Sequence, residues 1–148
     1  MEINNFTFEQ EIQVRWSDLD PLGHVNNAVF VTYFEVARGF YMMNASPRWN
    51  WKTDMFLIGN VQVNFLKELT LFTINPRVKM RTKQIGNKSF VLEYVVISTS
   101  LNGEDLIHAS GETTQIMFDM KNKKTIEVQD WLKKHLNAYE KDGSILMK

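Results

Sequence analysis

The sequence predicts an α+β domain in which an antiparallel sheet of about five strands wraps around one long central helix, with a short C-terminal helix. Hydrophobicity alternates with a period of two before residue 17 and again over much of 55–118. Between these stretches, apolar residues recur every three or four positions, which is the spacing of one helix face. The links between the later strands are short, and strands joined by short links pair antiparallel.

The first alternating stretch places Phe8, Ile12, Val14 and Trp16 on one side and mostly charged or amide residues on the other. This pattern predicts a half-buried strand. It ends in a segment rich in aspartate, proline and glycine, residues 17–23, which is typical of a turn.

The long helix follows this turn, capped by Asn26 or Asn27 and ending before Pro47. Its predicted inward face consists of Phe30, Tyr33, Phe34, Ala37, Phe40 and Tyr41. This helix is the one element large and apolar enough to cover a free face of the sheet, so we expect the sheet to wrap around it.

The later alternating stretches predict strands near residues 61–65, 77–81, 90–97 and 106–118. Asn102-Gly103 is typical of a hairpin turn between the last two. Val128, Leu132 and Leu136 predict the short C-terminal helix.

Composition limits the function classes. The 148 residues contain no repeat and no linker, so we expect a single domain over 1–148. The lack of cysteine excludes disulfides and thiolate metal sites, and no histidine cluster has zinc spacing, so neither metal nor cofactor is expected. Lysine plus arginine equal aspartate plus glutamate at 17 each, which argues against a nucleic-acid partner. Neither a signal peptide nor a membrane span is visible, and we expect a cytoplasmic protein.

The densest polar cluster lies between the first strand and the long helix, at residues 15–27. It contains two carboxylates, an imidazole, two amides and a glycine, followed by a helix N-terminus with free N–H groups. Acyl transfer needs a carboxylate near a carbonyl carbon and N–H donors aimed at the carbonyl oxygen. From the residues alone, a helix cap with a polar turn is the favoured explanation of the cluster.

This run, continued through 33–38 (Tyr-Phe-Glu-Val-Ala-Arg), closely resembles the 4-hydroxybenzoyl-CoA thioesterase family of hotdog-fold proteins. The resemblance implies hydrolysis of an acyl-CoA or acyl-carrier thioester, with Asp20 as the catalytic carboxylate. It implies that the backbone N–H of Asn27 polarises the carbonyl and that Gly23, His24 and Asn26 contact the substrate.

A second turn, residues 85–90, also resembles the family and implies substrate contacts from Lys88 and Ser89. The resemblance further implies a homodimer or homotetramer whose site lies between protomers, with the partner supplying residues near 60–65 and 86–90. The resemblance also implies that Asp18 is a structural hydrogen-bond acceptor.

Two other functions stay open from the sequence. A hotdog hydratase or dehydratase would pair a histidine base with a carboxylic acid, and His24 with Asp20 could serve. A non-catalytic module that binds acyl thioesters would need no catalytic carboxylate.

The remaining polar and aromatic residues have structural interpretations. Glu35 is expected to pair with Arg38 or with a backbone group, and a role as a second acid is the alternative. His108 is expected to be structural, and His135 is expected to be a surface or packing residue. Trp49 and Trp51 either line an acyl pocket or pack. A basic cluster along two strands is expected to lie on a solvated sheet face or, alternatively, to contact the phosphates of coenzyme A. Its members are Arg77, Lys79, Arg81, Lys83 and Lys88.

Overall fold

The computed structural model describes residues 3–140 and 144–148. Two helices and seven strands lie in this part of the chain: β1 (Phe8–Glu11), α1 (Asn27–Ala45), β2 (Phe56–Phe65), β3 (Arg77–Ile85), β4 (Ser89–Thr99), β5 (Asp105–Asp119), β6 (Lys124–Thr125), α2 (Asp130–Tyr139) and β7 (Leu146–Met147). The predicted class, with five principal strands, one long helix and a short C-terminal helix, is confirmed. The two-residue strands β6 and β7 were not predicted.

The sheet has the order β1-β3-β4-β5-β2, and its five principal strands are antiparallel. The predicted hairpin joins β4 to β5, and its Gly103 adopts a φ of 86°. Although β2 precedes β3 in the chain, the connection 66–76 carries the chain to the other side of the sheet. Strand β2 is therefore an edge strand whose one strand neighbour among the described residues is β5.

Helix α1 packs across the concave face of the sheet. Five of the six predicted inward residues are buried: Phe30, Tyr33, Phe34, Ala37 and Tyr41. The rings of Phe34 and Tyr94 stack with centroids 4.4 Å apart. A Cβ on Gly111 of β5 would come within 2.6 Å of the Phe34 ring. The helix and the sheet therefore approach closely at a position where the sheet has no side chain.

Two details of the predicted burial are wrong. The first strand ends at Glu11, and Trp16 is 81% exposed, because residues 16–18 form a short 3-10 turn instead of a strand. Phe40 is 44% exposed. Helix α1 carries apolar residues around more of its circumference than the five strands can cover.

Candidate active site

Asp18 anchors the polar turn between β1 and α1. Its side chain is 2% exposed, and its carboxylate accepts hydrogen bonds from the Arg15 backbone N–H (2.9 Å), the Arg15 guanidinium (3.1 and 3.2 Å) and the Tyr33 hydroxyl (2.8 Å). Burial by itself would raise the pKa of Asp18, but these donors outweigh it and hold the pKa below its usual value. The predicted structural acceptor is confirmed.

Asp20 lies two residues later in a different environment. One oxygen, Oδ1, accepts from the backbone N–H groups of Leu22 (2.9 Å) and His24 (3.1 Å). Gly23 allows this tight loop because it adopts a φ of 81°. No described residue donates to the other oxygen, Oδ2. The carboxylate is thus fixed by one oxygen while the second is free to react.

Asn26 and Asn27 form the start of α1. The Asn26 side chain caps the helix by accepting from Ala28 N–H at 2.9 Å. Asn27 is the first helical residue, and its backbone N–H donates to no described residue. An unpaired N–H at the positive end of a helix can donate to an oxyanion.

Asp20 and Asn27 open onto one cleft of about 290 Å³. The residues that line it are Asp20, His24, Val25, Asn27, Phe30, Phe65, Leu66, Lys67 and Glu68. Three of the predicted site residues, Asp20, His24 and Asn27, therefore lie together. The lining Phe65 belongs to the same chain as Asp20, within a segment that was expected from the partner.

The other predicted contacts lie outside this cleft. Gly23 is exposed in the turn beside the cleft, and Asn26 is exposed at the N-cap of α1. Lys88 and Ser89 lie at the opposite end of the sheet. Ser89 pairs with Ile116, whereas Phe65 pairs with Ala109, seven residues away along β5. At about 3.3 Å per residue, roughly 23 Å separates the two ends, so one protomer does not bring them together.

His24 does not form the acid–base pair of a hydratase with Asp20. It donates to Asp20 through its backbone N–H, and no hydrogen bond from the imidazole to Asp20 occurs among the described residues. The Asp20 carboxylate therefore has no histidine partner among the residues that the structure describes.

The sequence did not indicate Leu66, Lys67 and Glu68 as site residues. The carbonyl of buried His108 accepts from the backbone N–H groups of Leu66 and Lys67, and the His108 Nδ1 lies 2.9 Å from the Glu68 carbonyl. A carbonyl can only accept, so Nδ1 carries the proton. Burial lowers the pKa of His108, which keeps the ring neutral. The predicted structural role of His108 is confirmed, and the role is to hold this wall of the cleft.

The predicted pairing of Glu35 with Arg38 or a backbone group is wrong, since no described residue bonds to the Glu35 carboxylate. Glu35 is exposed, whereas Arg38 is buried and donates to the Tyr94 hydroxyl at 3.2 Å. His135 packs instead of facing solvent, with its Nδ1 2.7 Å from the Ser46 hydroxyl oxygen. Trp49 is buried in the core, and Trp51 remains 43% exposed beside α1.

Most of the basic cluster is paired with acids on the sheet. Arg77 contacts Glu9 and Asp105, Arg81 contacts Glu93, and Lys83 contacts Glu112. Because these cations already have carboxylate partners, a sheet face explains them better than a phosphate site does, although Arg77 is 8% exposed and therefore not solvated as predicted.

A family model described as the thioesterase-like superfamily matches residues 14–136. The chain belongs to this superfamily. The membership confirms the resemblance seen in residues 15–38 and the thioester-hydrolase class predicted from it. Among the described residues, no three histidine, aspartate or glutamate side chains are placed to hold a metal ion. No helix in the same ranges is long and apolar enough to cross a membrane.

Three relatives illustrate the similarity. A thioesterase from Thermus thermophilus, crystallised with coenzyme A and zinc, is 30% identical with a TM-score of 0.80, over 93% of this chain and 97% of that one. The long-chain acyl-CoA thioesterase FadM of Escherichia coli (strain K12) is 26% identical over 90% of this chain and 99% of its own. The uncharacterized protein YsmA of Bacillus subtilis (strain 168) is 28% identical over 68% of this chain, and the match spans 66% of YsmA.

Proposed function

We propose that the protein hydrolyses acyl-CoA thioesters and that Asp20 is its catalytic carboxylate. The observation that carries this proposal is a pair of groups on one cleft, the Asp20 Oδ2 and the Asn27 N–H, to which no described residue bonds. Similarity to FadM and to a coenzyme A-bound thioesterase supports acyl-CoA as the substrate. The cytoplasmic location expected from the sequence stays a prediction.

The chemistry follows from the two groups. The thioester oxygen accepts a hydrogen bond from the Asn27 N–H, and this bond strengthens as negative charge develops on the oxygen. Asp20 Oδ2 either takes a proton from an attacking water or attacks the carbonyl carbon itself. In both routes the C–S bond breaks and the sulfur leaves as the thiol of coenzyme A. With an activated water, that water supplies the new oxygen of the product; with direct attack, an acyl–Asp20 anhydride forms and water then hydrolyses it. A single turnover in ¹⁸O-water that leaves the first product free of ¹⁸O and places ¹⁸O in Asp20 identifies direct attack followed by hydrolysis at the Asp20 carbonyl.

The proposal includes a homodimer formed through β2. This edge strand has ten residues with no partner on its outer side in the described chain, and its Ile58, Val61 and Phe65 are 39%, 43% and 47% exposed. A long, apolar, open edge is an association surface that proteins normally cover. A second copy of the same strand, related by a two-fold axis, covers it by antiparallel pairing.

Such a dimer would complete the site. A two-fold axis near the middle of β2 places the Phe56 end of the partner strand opposite the Phe65 end beside the Asp20 cleft. The Phe56 end pairs with Met117, whose N–H donates to the Lys88 carbonyl at 2.9 Å. The partner's turn with Lys88 and Ser89 is therefore the one that would reach the cleft, where a lysine suits coenzyme A phosphates.

The test of the proposal is Asp20→Asn. The amide keeps the shape and the backbone hydrogen bonds of Oδ1 but removes the charge that reacts. A positioned base contributes roughly 10²- to 10⁴-fold, so kcat should fall by at least about 10² while KM changes little. Release of free thiol from a panel of acyl-CoAs measures both constants. A variant with nearly wild-type kcat would show that Asp20 is not the catalytic group.

A further inference from the structure

A groove of about 690 Å³ lies between the connection 66–76 and the β4–β5 hairpin. Its apolar lining comes from Phe72 and Ile74 in the connection, Leu101 in the hairpin turn and Leu106 in β5. Phe72 is 91% exposed and Leu101 is 97% exposed, and no described residue covers either of them. A contiguous apolar surface that is left open in this way commonly marks a binding site.

The polar groups inside the groove already have partners. The His108 Nδ1–H donates to the Glu68 carbonyl at 2.9 Å, so the unprotonated Nε2 accepts from the Ser98 hydroxyl at 2.7 Å. At the rim, the Thr73 hydroxyl oxygen accepts from the Thr70 backbone N–H at 3.0 Å. Because the donors of His108 and Ser98 are used within the chain, an apolar ligand can cover them without leaving a buried donor unpaired.

The groove adjoins the Asp20 cleft. Lys67 and Glu68 line both cavities, so the segment 66–68 forms a wall that the two share. The Asp20 cleft measures about 290 Å³, whereas clefts that enclose drug-sized ligands measure roughly 300–1,000 Å³. The cleft therefore has room for the thioester group and little more, and a longer acyl chain needs the volume that the groove supplies.

We infer that the acyl chain of the substrate passes from the Asp20 cleft over the wall at Lys67 and Glu68 and lies in this groove, which makes the protein selective for long acyl chains. The inference rests on the proposed function, because it takes the thioester carbonyl to lie at the Asn27 N–H. Phe72 and Leu101 then flank the chain from opposite sides and determine the chain length that is preferred.

A second apolar groove does not meet the same requirement. It measures about 440 Å³ and lies on the outward side of α1, where Val36, Gly39 and Trp51 line it. Phe30, which lines the Asp20 cleft, precedes Gly39 by roughly two and a half helical turns and hence lies on the opposite side of α1. An acyl chain that begins in the cleft would have to pass around the helix to reach this second groove.

The experiment measures the binding of two thioethers that cannot be hydrolysed, S-dodecyl-coenzyme A and S-butyl-coenzyme A, by titration calorimetry. Burial of one methylene group changes Kd by about fourfold, so wild type should bind the dodecyl compound at least about tenfold more tightly than the butyl compound. Phe72→Asp and Leu101→Asp each place a carboxylate at the rim of the groove. Each should lower this preference at least about threefold and leave the Kd of the butyl compound within about twofold of wild type, because burying a chain beside the carboxylate removes water from the charge.

The matched control is Met120→Asp. Met120 is 55% exposed and lies in a turn, as Phe72 and Leu101 do, but at the end of β5 opposite to the hairpin. Aspartate is well tolerated in turns, so all three variants should keep the urea midpoint of wild type. Met120→Asp should also keep the preference of wild type for the dodecyl compound.

Equal binding of the two thioethers by wild type would overturn the inference, and so would a preference that survives in both groove variants. Equal weakening of both compounds would place Phe72 and Leu101 beside the coenzyme and would also overturn it. A preference lost in Met120→Asp as well would assign the effect to the added charge, with the same consequence. Thiol release from acyl-CoAs tests the proposed function separately. Tight binding of the dodecyl compound without any hydrolysis would contradict that function and leave the acyl chain in the groove.

Discussion

At the scale of single residues, two aspartates separated by one residue have divided roles. Asp18 is buried and surrounded by donors, whereas Asp20 keeps one oxygen open to a cleft. The sequence could predict this pair, with His24 and Asn27, because a turn brings neighbours in the chain together. It could not predict Lys67 and its neighbours, which reach the cleft through contacts with His108 some 40 residues later. Lys88 was assigned to the site by the family resemblance alone, and within one chain it lies roughly 23 Å from the cleft.

The structural role of Asp18 leads to a prediction for Asp18→Asn. The amide offers one acceptor where the carboxylate has two, so a donor from Arg15 or Tyr33 loses its partner in a buried site. The free energy of unfolding should fall by about 1–3 kcal/mol, while kcat should fall much less than in Asp20→Asn. Urea unfolding and thiol-release kinetics on both variants measure the two effects. An inactive but stable Asp18→Asn protein would mean that the two roles are exchanged.

The pH dependence of the same pair gives a second readout. The pKa of Asp18 is lower in the folded chain than in the unfolded one. The unfolded chain therefore takes up a proton first as the pH falls, so the stability contributed by Asp18 is complete above about pH 5 and is lost progressively as the pH falls through the unfolded pKa and then the folded pKa. The stability difference between wild type and Asp18→Asn should accordingly shrink between about pH 5 and pH 3. A difference that stayed constant over this range would contradict the assignment.

At the scale of elements, periodicity predicted α1 and the strands β3 to β5, because one face of each is buried against the others. It failed at the end of β1, where alternation continues beyond Glu11 although the ladder with β3 stops. Alternation reports which side of a chain is apolar and says nothing of whether a neighbouring strand is present to pair with it. Exposed residues of α1 such as Phe40 show the converse, since an apolar face need not be covered by its own chain.

The contact between α1 and the sheet leads to a prediction at Gly111. A Cβ there would come within 2.6 Å of both the Phe34 ring and the Gln62 carbonyl. Gly111→Ala should therefore strain the packing and lower the free energy of unfolding by about 1–3 kcal/mol. The matched control is Ser110→Ala, at the preceding residue, whose side chain lies on the other face of the sheet. It should lower the free energy of unfolding less than Gly111→Ala does. Equal urea midpoints for wild type and Gly111→Ala would show that the helix can shift freely.

At the scale of the whole molecule, the proposed dimer makes each site from two chains, which mixing can test. Asp20→Asn removes the carboxylate from one half of the site, and Lys88→Glu reverses the charge of the turn proposed for the other half. Each homodimer should be nearly inactive at low acyl-CoA concentration. In a mixed dimer one site carries both changes and the other carries neither. Equal amounts, exchanged by mild denaturation and refolding, should recover about one quarter of wild-type activity. If fully exchanged mixtures recovered no activity, Asp20 and Lys88 would belong to a site formed by a single chain.

The strand order also constrains how the chain folds. Among the described strands, β2 pairs only with β5, and the partner of Phe65, Ala109, is 44 residues further along the chain. Strand β1 likewise pairs with a strand much later in the chain, since its Phe8 pairs with Met80 of β3, 72 residues away. Pairing of either outer strand therefore closes a large loop. The chain must lose the conformational entropy of that loop before the contacts of the strand can form. The hairpins β3–β4 and β4–β5 are local and can form first. A nascent chain that has not yet emerged as far as β5 exposes both edges of an apolar ten-residue strand, and during that interval the protein is most vulnerable to aggregation.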